Sequence, residues 1–335
     1  KSLLQLKNFT LCLDESSLIQ NPKAKRTKFI MRSIPANVIL LSGTPTAGKY
    51  ENLWTQLNLL GCPISLKAYE QNYVNWKKIE VGGFTHKIVD KKDPYKNVDR
   101  LKAKMRRYGA LFMKTKEVHD LPAQNIIEIK VKTTKEYRKF QKTKVITVTD
   151  AGIEFKDDSD FHGVDVTPRH DLVGSTTLTF RLYSRMLCGH YNADKLAAFR
   201  DLCESTNDRL IVFYNYDAEL EALRKICAKL ERPISEINGH TKDLTAYNDD
   251  PDSITLVQYK AGAMGQNLQK ANKIIYFTLT DEAELFLQSL KRIHRIGQEL
   301  PCFYYILLCE NSIEDKEILP TLRVRERFTD ELFKK

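Results

Sequence analysis

The sequence holds seven cysteines, Cys12, Cys62, Cys188, Cys203, Cys227, Cys302 and Cys309, yet no two form a C-x-x-C pair. None is followed by a histidine at zinc-finger spacing, so no zinc site is expected. An odd number of scattered thiols suits a reducing, intracellular compartment. No apolar run is long enough to cross a bilayer, and no membrane partner is expected. The chain opens on Lys1 rather than Met, and its first residues do not have the pattern of a signal peptide. It is therefore expected to begin inside a longer protein. Repeats and low-complexity tracts are missing too.

What is present is ordinary globular composition, 42% hydrophobic and 29% charged over 335 residues, enough for two domains with real cores. Lys and Arg number 53 against 43 Asp and Glu, a net charge of +10. That excess suits a polyanion, nucleic acid being the commonest, and equally suits a basic soluble surface.

Phe9 to Leu13 and Ala36 to Leu41 are short apolar runs that read as strands buried on both faces, as in a parallel sheet. Residues 23–28 between them are basic. Asn52 to Leu60 reads as a helix stopped by Gly61–Cys62–Pro63. From Pro63 to about Glu117 the chain is aromatic, lysine-rich and mostly helical, with one hairpin near Gly82–Gly83. Arg100 to Lys116 carries Arg100, Lys102, Lys104, Arg106, Arg107, Lys114 and Lys116. Asn125 to Lys132 alternates as a half-buried strand, and Lys135 to Lys144 reads as a basic helix. Residues 145–180 look like a hairpin and loop insert. Strands at Leu210–Tyr214, Ser235–Ile237, Ser253–Gln258, Lys273–Phe277 and Phe303–Leu308 alternate with helices at Leu196–Cys203, Ala218–Leu230 and Leu285–Arg295. That alternation implies a parallel sheet covered on both faces.

Four constellations can carry chemistry. Asp14–Glu15 stand together at the carboxyl end of a strand, where carboxylates are costly unless they hold a metal or orient water. Asp14 is the candidate Mg²⁺ ligand and Glu15 the group that orients or deprotonates the attacking water; the bland alternative is a solvated turn. Ser42–Gly43–Thr44–Pro45 ends the next strand and reads as a coupling element or a plain Gly-Pro turn. In Ala261-Gly262-Ala-Met-Gly265-Gln-Asn267-Leu268, two glycines let backbone N–H groups approach an anion, and Asn267 can bond phosphate or its own turn. Last, Gln288-Ser-Leu-Lys-Arg292-Ile-His-Arg295-Ile-Gly-Gln298 places Arg292 and Arg295 three apart on an expected helix face. Two guanidiniums there can clamp a triphosphate, with Leu290, Ile293 and Ile296 buried opposite.

In this order and company the motifs resemble those of the Swi/Snf-type superfamily-two helicase-like ATPases. Asp14–Glu15 match the family's second motif, Ser42–Pro45 the third, Leu210–Phe213 the fourth, Gly262–Leu268 the fifth and Gln288–Gln298 the sixth. Asn238-Gly239-His240-Thr241 resembles a further segment that couples to DNA. Leu111–Lys116, then Leu121–Pro122, resembles the inter-lobe bridge. The resemblance implies an α/β fold of RecA-like parallel sheets: an incomplete first lobe (1–62), a helical insertion and bridge (63–117), and a complete second lobe (118–335). It implies ATP and Mg²⁺ in a cleft between lobes, with Asp14, Glu15, Arg292 and Arg295 catalytic and Gly262, Gly265, Asn267, Gln288 and Gln298 binding nucleotide. The implied partner is double-stranded DNA, with a protein–DNA complex as the object remodelled, and the implied location is DNA-associated.

One departure weighs on this. No Gly-x-Gly-Lys-Thr loop precedes Asp14, so the polypeptide by itself is expected to hydrolyse little or no ATP. Gly43 to Lys49 mimics a Gly-x₄-Gly-Lys phosphate loop, but Tyr50 follows where Ser or Thr would bind Mg²⁺, and Pro45 lacks an N–H. A P-loop kinase using Gly43–Lys49 and a non-catalytic DNA-binding remnant or scaffold are the alternatives.

Overall fold

The first strand, β1 (Thr10–Leu13), pairs in parallel with β2 (Asn37–Leu40), Leu11 standing opposite Val38 and Leu13 opposite Leu40. The computed structural model describes residues 5–81, 83–113, 119–149, 169–262 and 267–332. They fall into two compact units, Lys1–Val118 with Val324–Lys335, and His119–Arg323. The parallel pairing is as read from the sequence, but burial on both faces is not: Leu11 is buried while Ile39 is 48% exposed. Among the described residues this sheet has two strands, too narrow a surface to be covered on both sides.

Aromatic burial holds the first unit together. Tyr50, Leu53, Leu57, Tyr69, Tyr73, Leu101 and Met105 form its core. They come from a 3₁₀ turn (Tyr50–Leu53) and the helices Trp54–Leu59, Leu66–Tyr73 and Val98–Arg107. The second of these starts where Ser65 Oγ accepts the Ala68 N–H at 3.2 Å, a cap that satisfies an otherwise orphaned donor. The hairpin expected at Gly82–Gly83 is present as β3 (Trp76–Val81) against β4 (Phe84–Val89), antiparallel. Gly82 lies outside the described residues, as do Lys114–Lys116 of the expected bridge. From Val324 the last helix (Leu319–Leu332) belongs to the first unit, so the segment 118–335 is not one body. The cause is packing: the Phe328 ring sits 5.2 Å from Tyr95 and 5.8 Å from Tyr50, whose hydroxyl donates to the Phe328 carbonyl at 2.7 Å.

The second unit is an α/β sheet, the class read from the sequence. Its strands are β5 (Gln124–Val131), β8 (Leu210–Tyr214), β9 (Ile234–Ile237), β10 (Lys242–Asp243), β11 (Ile254–Gln258), β12 (Lys273–Tyr276) and β13 (Cys302–Cys309). A separate antiparallel pair, β6 (Val145–Thr149) and β7 (Arg169–Val173), is the expected hairpin insert, of which 150–168 lie outside the described residues. The insert is shorter than 145–180, because a helix starts at Thr177 behind a Thr176–Thr179 capping box. Strand order is β10-β9-β11-β8-β12-β13-β5, all parallel except β10.

Period-two alternation sends Val212, Leu256, Ile275 and Leu307 to one face, against Phe199 and Cys203 of helix Ala193–Glu204 and Leu223 and Ile226 of helix Asp217–Lys229. Phe213 and Tyr276 point the other way, Tyr276 lying 5.3 Å from Phe286 of helix Ala283–Leu290. Chain order runs from β8 outward to β9, back to β11, then across β8 to β12. That reversal marks the carboxyl ends of β8, β11 and β12 as the place where an open α/β sheet holds ligands.

Candidate functional site

In the first unit the site begins where β1 stops. Glu15 takes the left-handed conformation (φ 52°, ψ 54°), unusual for a side chain with a Cβ. Its N–H donates to Asp14 Oδ1 at 2.9 Å, and the Ser16 N–H donates to the Leu41 carbonyl at 2.8 Å. The acidic turn is thus tied to the end of β2, where Ser42–Pro45 begins. Two amides complete the link. Gln56 Nε2 donates to the Pro45 carbonyl at 2.6 Å while its Oε1 accepts the Ser16 hydroxyl at 3.3 Å. Gln20 Nε2 donates to the same carbonyl at 3.2 Å and is held by Asn52 at 2.9 Å. Neither glutamine was singled out from the sequence; for Gln56 the available signal was a polar residue on the buried side of the helix Trp54–Leu59, and for Gln20 there was none.

Asp14 is exposed, and its hard oxygen donors suit Mg²⁺. The loop after Ser42 does not suit phosphate. Thr44 N–H is spent on Ser42 Oγ, Gly48 N–H on Thr46 Oγ1 and Lys49 N–H on the Thr46 carbonyl. Pro45 has no N–H, and a Cβ on Gly48 would stand 2.3 Å from the Arg325 carbonyl oxygen, so the loop is packed shut. The Gly43–Lys49 match to a phosphate loop is one of spelling, and the P-loop kinase reading loses its physical basis.

In the second unit Gly262 follows β11, and any Cβ there would meet Val257 Cγ1 at 1.9 Å. Gly265 lies outside the described residues. Asn267 is exposed and its Oδ1 accepts the Gln269 N–H at 3.4 Å, bonding its own turn. This loop and the carboxyl-terminal motif are brought together: the Leu268 N–H donates to the Arg292 carbonyl at 3.3 Å.

Within that motif the expected geometry is corrected. The helix ends at Leu290, not Arg295, and turns follow. Arg292 and Arg295 therefore do not share a helix face. Arg292 is buried, its Nε donating to the Gln288 carbonyl at 3.2 Å, whereas Arg295 is exposed. Ile293 is buried as expected but Ile296 is 61% exposed. Gln288 is buried. Gln298, expected at the nucleotide, has its Nε2 on the carbonyls of Gln269, Ala271 and Ile293 at 3.1, 3.0 and 3.3 Å. His294 Nε2 lies 3.0 Å from the Pro122 carbonyl. Most of this motif braces the fold, and Arg295 is the guanidinium left to act outward.

Asn238–Thr241 form the turn between β9 and β10. Asn238 Oδ1 accepts the His240 and Thr241 N–H groups at 2.9 and 2.8 Å, leaving Gly239, His240 and Thr241 exposed. Behind it Arg224 grips Glu236 with two bonds of 2.6 Å, and Glu236 Oε2 accepts from Asn238 Nδ2 at 3.2 Å. Sequence reading also missed the polar floor at the carboxyl ends of β8 and β12. There the buried Glu219 accepts from Asn215 N–H, Tyr216 N–H and Thr278 Oγ1 at 2.8, 3.2 and 2.9 Å, and burial raises its carboxyl pKa.

Comparison with known proteins places the chain in a family. The model of the SNF2-related domain matches residues 1–192 and that of the helicase conserved C-terminal domain residues 194–297. The mouse SWI/SNF-related matrix-associated actin-dependent regulator of chromatin subfamily A member 1 is 23% identical over 91% of this chain and 30% of its own. The yeast (Saccharomyces cerevisiae) DNA repair and recombination protein RAD26 is 24% identical over 94% and 30%, and the yeast ISWI chromatin-remodeling complex ATPase ISW1 22% over 91% and 28%. The chain thus spans about 30% of the length of these curated relatives. The crystal structure of the C-terminal part of the Fun30 ATPase domain aligns with 42% of this chain and 52% of its own at 22% identity, with a TM-score of 0.35. Since one family model takes in more than half of these residues, including both the acidic turn and the Ser-Gly-Thr-Pro loop tied to it, the chain belongs to the SNF2-related domain family.

Proposed function

We propose that this chain is part of an ATP-driven motor that moves along double-stranded DNA and remodels protein–DNA complexes. The observation that supports it most is the hydrogen-bonded union of the Asp14–Glu15 turn with Ser42–Pro45 through Ser16, Gln56 and Gln20. Such a union lets a change at the carboxylates move the neighbouring loop. Bound ATP with Mg²⁺ supplies a phosphoanhydride to be hydrolysed. Asp14 would hold the ion, Glu15 would orient the attacking water, and Arg295 would offer a cation to developing phosphate charge. Asn267 and the Gly262 turn contribute to nucleotide binding. The exposed Gly239–Thr241 turn, with Ser42 and Gly43, contacts the DNA backbone, which positions the protein without reading sequence, while the buried Thr44 and Pro45 couple this loop to the acidic turn. The phosphate cradle is not the Gly43–Lys49 loop. A DNA-associated location follows from this reading.

The test uses the full-length protein. Hydrolysis should rise on adding duplex DNA, and Glu15→Gln should bind ATP without turning it over. DNA affinity should fall steeply with salt, by roughly 0.9 in log–log slope for each phosphate contact. Duplex binding with no hydrolysis would favour the scaffold alternative, and abolished ATP binding in Lys49→Ala would revive the kinase.

A further inference from the structure

The β3–β4 ribbon is anchored at its base and bare at its tip. Trp76 and Val89 pack on the core of the first unit, and the Val74–Tyr95 bridge extends the pairing below them. Lys87 is fixed there too, by Glu70 at 2.9 Å and by the Trp76 ring 4.1 Å from its ammonium. Alternation puts Lys77, Ile79, Phe84, His86 and Ile88 on one face, with Ile79 opposite His86. On that face Phe84 is 74% exposed and Ile79 37%.

Charge along the whole ribbon decides what it suits. Of the five lysines from Trp76 to Lys92, Lys77 pairs with Asp90 at 2.8 Å and Lys87 with Glu70, which leaves Lys78, Lys91 and Lys92 against Glu80. The helix Val98–Arg107, seated on the same core through Leu101 and Met105, presents Arg100, Arg106 and Arg107 to solvent. An apolar protein partner would cover the aromatic tip but leave this density of like charge uncompensated. Duplex DNA satisfies both, with phosphates for the lysines and stacked bases for the ring. A two-stranded ribbon fits its major groove, and a phenylalanine can be driven between base steps.

We infer that the β3–β4 ribbon is a duplex-DNA contact in which Phe84 wedges against a base step while Lys78, on the opposite face of the ribbon, and Lys91 and Lys92 beyond β4 hold phosphates. This rests on the reading of the chain as a duplex-DNA motor. The experiment titrates the full-length protein, without nucleotide, into a duplex carrying 2-aminopurine. The wild type should raise the fluorescence as bases unstack. Phe84→Ala should abolish the rise and weaken affinity about tenfold, the scale of losing one base–aromatic stack, at unchanged melting temperature. Phe84→Leu should keep part of the rise. The triple variant Lys78→Gln, Lys91→Gln, Lys92→Gln should lower the log–log salt slope by about 2–3. Wild-type fluorescence and affinity in Phe84→Ala overturn the wedge and leave the motor standing; a wild type that ignores duplex DNA overturns both.

Discussion

Gln56 Nε2 reaches the Pro45 carbonyl at 2.6 Å while the same side chain takes the Ser16 hydroxyl at 3.3 Å, so one amide spans two loops. All three residues are buried. Gln56→Leu should therefore leave Ser16 without its acceptor and Pro45 with Gln20 alone, at a cost of about 1–3 kcal/mol. Urea unfolding measures that loss. In the full-length protein the variant should also lose DNA-stimulated turnover while keeping its ATP affinity. An unchanged unfolding midpoint would mean the amide holds nothing.

Arg292 and Arg295 should part company on substitution. Arg295→Ala, at an exposed position, should change stability by no more than about 0.5 kcal/mol, keep DNA binding and lose DNA-stimulated hydrolysis. Arg292→Ala removes a buried guanidinium bonded to the Gln288 carbonyl and should cost about 1–3 kcal/mol. Thermal melts beside hydrolysis rates separate the two. Equal destabilisation would contradict the different burial of the two side chains.

Gln298→Ala strips donors from three carbonyls at once, those of Gln269, Ala271 and Ile293. The expected loss is about 2–4 kcal/mol, with nucleotide affinity unchanged at temperatures where the variant stays folded. A stable variant with weakened nucleotide binding would return Gln298 to the ligand.

Lys195 and Glu314 form an ion pair of 2.6 Å with side chains 0% and 1% exposed. Burial lowers the Lys195 pKa, but the Glu314 carboxylate, with lesser help from Cys309 and Cys188, outweighs it, and the net shift is upward. A lysine whose folded pKa is raised stabilises fully below the ordinary value of 10.5, and the stability is lost as pH climbs through the folded value. The wild type should therefore lose stability above about pH 10.5, a loss missing from Lys195→Met. At neutral pH that variant should already be destabilised by about 3–5 kcal/mol, since Glu314 is left buried without its partner. Urea midpoints across the alkaline range decide this.

Periodicity carried the second unit. Every strand expected from an apolar run between Leu210 and Leu308 is present within a residue or two, because central parallel strands must be apolar throughout. The Gly82–Gly83 hairpin and the parallel pairing of β1 with β2 were legible for similar local reasons. Helix ends were less so. Leu285 to Arg295 keeps an apolar rhythm through Ile293, yet the chain leaves the helix after Leu290, where Gln298 and Leu268 draw the backbone into turns.

What the sequence determined by itself was chemistry and order: which strands end in carboxylates, which loops need glycine, and which motifs succeed one another. Those come from short-range rules of propensity and alternation. Tertiary structure alone decided which polar groups are free to act. It buried Arg292 and left Arg295 outside, enclosed Gln298 among carbonyls, shut the Gly43–Lys49 loop against Arg325, and joined Asp14–Glu15 to Pro45 through two glutamines. Most of these depend on partners tens of residues away, and a hydrogen bond leaves no local trace in the sequence at either end.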